Sequence, residues 1–168
     1  MEYVRVGSAV LLALVFATAA VTKLRDLPAF RRALPRLVPV GARWVAPLAV
    51  GVVGTELAVA VLIVVPGTAT YGFVLAGTVL LAFAGAIAVA LRRGQRPPCR
   101  CFGASSAALH PGHLARNLML VGVAAIGGSA PPHLPPLGGL VVAALAGVVG
   151  AVLVIAADDI AVVLVRSS

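Results

Sequence analysis

The apolar runs of this chain are too long and too closely spaced for a protein folding in water. They cover residues 4–21, 45–65, 73–91, about 113–128, and 140–165, with only short polar connections between them. A bilayer core of about 30 Å is crossed by about 20 helical residues. The runs therefore predict an all-α polytopic membrane helical bundle, crossing the cell membrane several times. Hydrophobic residues make up 61% of the chain and charged ones 11%, against roughly 45–50% and about 25% in soluble domains. A water-facing surface is excluded on that ground, and residues 1–168 are expected to form one integral membrane domain. The net charge of +8 is confined to the connections, as in membrane proteins generally. No fold or motif places it on a nucleic-acid-binding face, so the bilayer, not nucleic acid, is the expected partner.

Individual residues refine this frame. The first run closes on Lys23, whose stem can lie along apolar surface. A cleaved signal peptide is the rival reading, because Ala17-Thr18-Ala19 has a small-x-small pattern. The single Arg5 offset by Glu2, and the further spans, argue against it. In the basic connection 23–43, Phe30, Leu34, Leu37 and Val38 recur at helical spacing. Two readings stand: a short interfacial amphipathic helix, or a positively charged loop. Trp44 marks the entrance to the second run, and Pro66-Gly67 marks its end. Glu56 is the acidic residue deepest within an apolar run, where a carboxylate costs about 2.5–3.5 kcal/mol. It is expected either to pair with Lys23 or an arginine in helix packing, or to relay protons or touch substrate. The fourth run is short and enters through Arg116-Asn117, which must then sit at the interface or inside the protein. Asp158 and Asp159 fall near the far end of the fifth run, suited to capping or pairing with loop arginines.

Both cysteines lie in Pro97-Pro98-Cys99-Arg100-Cys101-Phe102-Gly103, between the third and fourth runs. An i, i+2 pair can just reach the about 4.4–6.8 Å between Cα atoms that a disulfide needs. So small a ring is strained, and strain makes a disulfide labile and readily exchanged. Arg100 and Arg96 favour the thiolate, the attacking species. Thiol–disulfide exchange by Cys99 and Cys101 is one reading. A zinc site with His110 and His113 is a second, although C-x-C and H-x2-H miss the usual ligand spacings. Inert, small apolar side chains are the third.

Taken together, Lys23-Leu24-Arg25-Asp26, Phe30, Pro39, Glu56-Leu57, Cys99-Arg100-Cys101-Phe102-Gly103 and Arg116-Asn117 resemble the methylamine utilisation MauE family, a branch of the DoxX-like membrane proteins. The resemblance spans residues 4–128. It implies a DoxX-like four-helix core, with residues 129–168 adding a connector and a fifth transmembrane helix. It also implies maturation of a disulfide-containing secreted client alongside a thioredoxin-like partner, with Lys23, Glu56, Arg100, Arg116 and Asn117 as a supporting polar cluster. The family usually has glycine between the cysteines; Arg100 stands there in this chain. That departure disfavours an internal bridge and leaves exchange with a partner. A quinone acceptor beside the loop finds no residue in the sequence to argue for it. The basic connections place the cysteine loop in the cytoplasm, whereas chemistry on secreted disulfides needs the oxidising side. Two rivals are a non-catalytic membrane assembly partner and a small-solute carrier coupled through Glu56.

Overall fold

Where the sequence lacks charge the chain is helical. The computed structural model describes residues 2–65, 67–94, 110–131 and 136–166, without the side chains of Arg36 and of 158–166. The cysteine motif 97–103 and most of the proline-rich connector lie outside the described residues, as do the carboxylates of Asp158 and Asp159. Six helices follow in order: α1 (Glu2–Arg25), α2 (Leu27–Leu37), α3 (Ala42–Val64), α4 (Ala69–Arg92), α5 (Pro111–Ser129) and α6 (Leu137–Arg166). Among the described residues there is no strand. The all-α membrane bundle expected from the sequence is the fold observed.

Four stretches are long and apolar enough to cross a membrane: α1, α3, α4 and residues 137–157 of α6. The fourth expected crossing, α5, falls short of that measure because its first turns carry His113, Arg116 and Asn117. All three are buried in the protein, the second of the two places open to them.

α1 stands at the centre and packs against α3, α5 and α6, while α4 joins α3 to α5. These four inner helices, α1, α3, α4 and α5, enclose Leu12, Phe16, Val59, Phe73, Leu80 and Leu120. One end of the bundle is tied together by Arg5, whose guanidinium donates to the Ala130 carbonyl at 2.9 Å and to the Thr70 hydroxyl at 3.0 Å. It also lies 5.4 Å from the centre of the Phe73 ring. A cation here meets the exposed carbonyls at the end of α5, where the helix dipole is negative. At this end the α3–α4 reversal is sharp. Gly67 adopts φ +86°, and the Thr68 hydroxyl donates to the carbonyls of Leu62 at 2.8 Å and Val65 at 3.1 Å. Those bonds satisfy the last carbonyls of α3, and α4 begins at Ala69, four residues before the apolar run that predicts it.

The opposite end gathers the close of α1, all of α2, the start of α3, the end of α4 and the start of α5. In the sequence, the segment holding Cys99 and Cys101 follows α4 and precedes α5. Among the described residues up to 131, every lysine and arginine except Arg5 belongs to elements at this end. Of the two readings for residues 23–43, the helix is correct. Asp26 caps α2 by accepting from the Ala29 amide at 3.2 Å, and Pro28 sits in the first turn, where no amide is needed. Phe30, Ala33 and Leu34 face inward, while Arg32 faces out.

α6 runs parallel to α1 and is seated by small residues. A β-carbon on Gly147 would lie 2.5 Å from the Gly7 carbonyl oxygen and 2.9 Å from Val10 Cβ. Ala143 and Ala151, one turn to either side, are also buried. Without an oil–water driving force in lipid, close backbone approach of this kind is what holds helices together. Gly147→Ala is expected to destabilise the α1–α6 contact by about 1–3 kcal/mol, since backbone cannot yield to the added methyl. Gly54→Ala in α3, where an added Cβ meets nothing within 4 Å, should be neutral or stabilising. Thermal unfolding of both variants in detergent micelles, followed by circular dichroism, checks the difference in sign.

Candidate functional site

α2 lies across α3 and α4, and its buried face is also the roof of a cavity. Lys23 ends its apolar run one turn before α2, so its side chain turns inward beneath that roof. Its ammonium donates to Glu56 Oε1 at 2.6 Å, and the two side chains are 1% and 0% exposed. The Nζ atom lies 5.6 Å from the centre of the Phe30 ring and 5.8 Å from that of Phe83. A cation over ring faces in a dry site gains attraction from both. Thus α1 supplies the cation, α3 the anion, and α2 and α4 one aromatic wall each. The expected pairing of Glu56 with Lys23 is realised. Glu56 Oε2 has no hydrogen-bond partner among the described residues.

The cavity beside this pair measures about 160 Å³ and is bounded by Phe30, Leu34, Val52, Phe83 and Ile87 with Lys23 at its floor. Leu48 and Ala82 also border it and are exposed, so its mouth opens between α3 and α4 on the lipid-facing side. In the sequence these residues are only apolar positions on three separate segments, and nothing there signals that they share a void.

A second polar group sits at the start of α5. His110 is the N-cap, its Nδ1 accepting from the Gly112 amide at 3.0 Å. Its ring lies 4.3 Å, centre to centre, from that of His113, tilted by 38°. Arg116 Nη2 lies 3.3 Å from His113 Nδ1. Guanidinium has no acceptor, so Nδ1 must accept here. The Asn117 amide donates to the His113 carbonyl at 2.8 Å. Among the described contacts, Arg116 and Asn117 meet His113, and Glu56 meets Lys23.

Arg100, Cys99 and Cys101 lie outside the described residues, so the sulfur half of the candidate zinc set has no geometry here. In the histidine half both Nδ1 atoms are engaged, which leaves the Nε2 atoms as the positions a metal would have to use. Among the described residues no group of three or more His, Cys, Asp or Glu side chains is arranged to hold a metal.

A family model described as methylamine utilisation protein MauE matches residues 1–130, and the chain belongs to that family. The match stops just before the proline-rich connector and leaves out α6. No curated protein and no solved structure matches the chain.

Removing one member of a buried ion pair strands the other charge and costs about 3–5 kcal/mol, whereas replacing both with apolar residues is often neutral or better. Glu56→Leu alone is accordingly expected to destabilise the bundle by that amount. Lys23→Met combined with Glu56→Leu should recover most of it. A double-mutant cycle of thermal unfolding in micelles measures the coupling, and additive losses would show that the pair contributes nothing as a unit.

Proposed function

We propose that this MauE-family membrane protein is a thiol–disulfide exchange component, using Cys99 and Cys101 with a thioredoxin-like partner to mature a disulfide-containing client. The observation carrying the reading is the C-x-C pair itself. In the sequence it lies between α4 and α5, flanked by Arg92, Arg93, Arg96 and Arg100. A cationic neighbourhood favours the thiolate. One thiolate attacks a sulfur of the partner's disulfide and releases the partner's other sulfur as thiolate. The second cysteine then attacks the mixed disulfide and frees the partner as a dithiol, so two electrons pass to the partner and the chain is left oxidised. Run backwards, the same steps oxidise the partner. Arg100 between the cysteines adds strain to the Cys99–Cys101 ring formed in the second step, so that bridge is labile and readily passes back to the mixed disulfide. The client we propose is a secreted disulfide-containing protein; the family's description, methylamine utilisation, is compatible with such a client and names none.

The alternative of a non-catalytic assembly partner is supported by the enclosure of the Lys23–Glu56 pair, a structural link between α1 and α3. The two readings separate on the cysteines. With Cys99→Ser or Cys101→Ser, the remaining thiol should accumulate a mixed disulfide with the thioredoxin-like partner. The band should be visible on non-reducing gels and absent from the Cys99→Ser/Cys101→Ser double variant. Client maturation should fall at least tenfold in the double variant; full maturation without either cysteine would defeat the proposal. Labelling of intact cells with a membrane-impermeant maleimide reports the side of the loop. Charge distribution predicts protection until the membrane is opened.

A further inference from the structure

We propose that an anionic phospholipid binds where α3 and α4 reach the headgroup layer, its phosphate held by Arg43 and Arg93 and one acyl chain entering the cavity under α2. The cavity by itself does not choose its occupant. Its wall is apolar apart from Lys23, whose ammonium is already bonded to Glu56 and to the Ala19 carbonyl. The choice is made outside it, by what the two sides of its mouth lead to. On α3, Trp44 lies one turn before Leu48 on the same face, about 6 Å nearer the helix end. The Arg43 guanidinium stands 5.9 Å from the centre of the Trp44 ring. On α4, the stripe of Ala82 and Ala86 reaches Arg93 two turns later, about 10 Å beyond Ala86. Arg43, Trp44 and Arg93 are exposed, and neither arginine has a carboxylate partner among the described residues. An indole beside cations at the end of a crossing marks the headgroup layer. Half of a bilayer core of about 30 Å is about 15 Å of chain, enough to run from Arg93 past Ala86 into the void.

Charge selects the head group. The described carboxylates at this end are already engaged: Asp26 caps α2, and Glu56 is bonded to Lys23. Against them stand Arg25, Arg32, Arg43, Arg92 and Arg93, all exposed. Arg31, on the helix that roofs the cavity, has a buried Nε with no hydrogen-bond partner among the described residues. Anionic lipid is drawn to such a basic end. A zwitterionic lipid buries the same chain without that net attraction, and a neutral apolar molecule gains nothing from the arginines. The site is independent of the thiol chemistry proposed above, since no described residue lining the cavity is a cysteine.

The test titrates the full chain in non-ionic detergent with dioleoylphosphatidylglycerol, counting bound lipid by native mass spectrometry. Dioleoylphosphatidylcholine has identical chains and no net charge. One phosphatidylglycerol per chain is expected to bind at least tenfold more tightly than phosphatidylcholine. Arg43→Gln and Arg93→Gln should each weaken it about fivefold, the attraction of one basic residue at the surface, and leave phosphatidylcholine unaffected. Ala86→Phe fills the cavity from α4 while keeping both arginines, and should weaken phosphatidylglycerol at least tenfold. Ala86→Leu, a smaller intrusion, should do the same to a lesser degree, with the fold of both variants verified by circular dichroism. Dihexanoylphosphatidylglycerol, whose chains are too short to reach the cavity, should not compete. Equal affinity for the two dioleoyl lipids, or unaltered affinity in both arginine variants, would overturn the proposal. So would unaltered affinity in both Ala86 variants, or competition by the dihexanoyl lipid as potent as by the dioleoyl one, which would reduce the site to ion pairing at the surface.

Discussion

A lysine and a glutamate facing each other inside an apolar bundle leave the chain few choices. Neither charge can be stranded in so dry a place without a cost of several kcal/mol, so α1 and α3 must meet at the register that brings Lys23 Nζ to Glu56 at 2.6 Å. Apolar side chains alone would not fix that register, because alanine, valine and leucine pack tolerably in several neighbouring ones. Once it is set, the chain after Lys23 has little room to leave the bundle, and Asp26 starts α2 at once. The roof, the aromatic walls and the floor of the cavity are all consequences of that one contact.

How much of this could be read from the sequence depended on whether the deciding residue stood out from its neighbours. Glu56 did, because it is an acid deep within an apolar run, and its natural counterpart was the lysine closing the preceding run. The α2 helix was half legible. The spacing of Phe30, Leu34 and Leu37 suggested it, while Asp26-Leu27-Pro28, a cap followed by a proline suited to a first turn, was the stronger signal. Arg116 and Asn117 were correctly expected at the interface or inside. Their partner His113 lies one turn back on the same helix, and i, i+3 and i, i+4 spacing could have named it. Arg5 reads as an ordinary interfacial charge, yet its partners are backbone carbonyls more than a hundred residues away. No sequence pattern reports such bonds.

The boundary of the family match has a physical counterpart. Residues 1–130 contain the four inner helices, α2, and both polar clusters, and Arg5 binds the carbonyl of Ala130 where that unit ends. α6 adds no residue to the cavity wall. It covers α1 through Gly7, Gly147 and the buried alanines, a contact made by shape without a hydrogen-bonded or charged pair among its described side chains. α6 thus adds to the matched residues a contact of shape alone among the described side chains.

The two ends of α1 carry opposite solutions to one problem. At its start Arg5 reaches outward to the Ala130 carbonyl at the end of α5 and the Thr70 hydroxyl at the start of α4. At its close Lys23 turns inward, its charge cancelled by Glu56. The Arg5 clamp joins a backbone carbonyl, a hydroxyl and the face of the Phe73 ring. Lys23 works through side chains instead, a carboxylate from α3 and the rings of Phe30 and Phe83. In a chain this poor in polar atoms, one lysine that cannot reach water therefore decides where α1 and α3 meet.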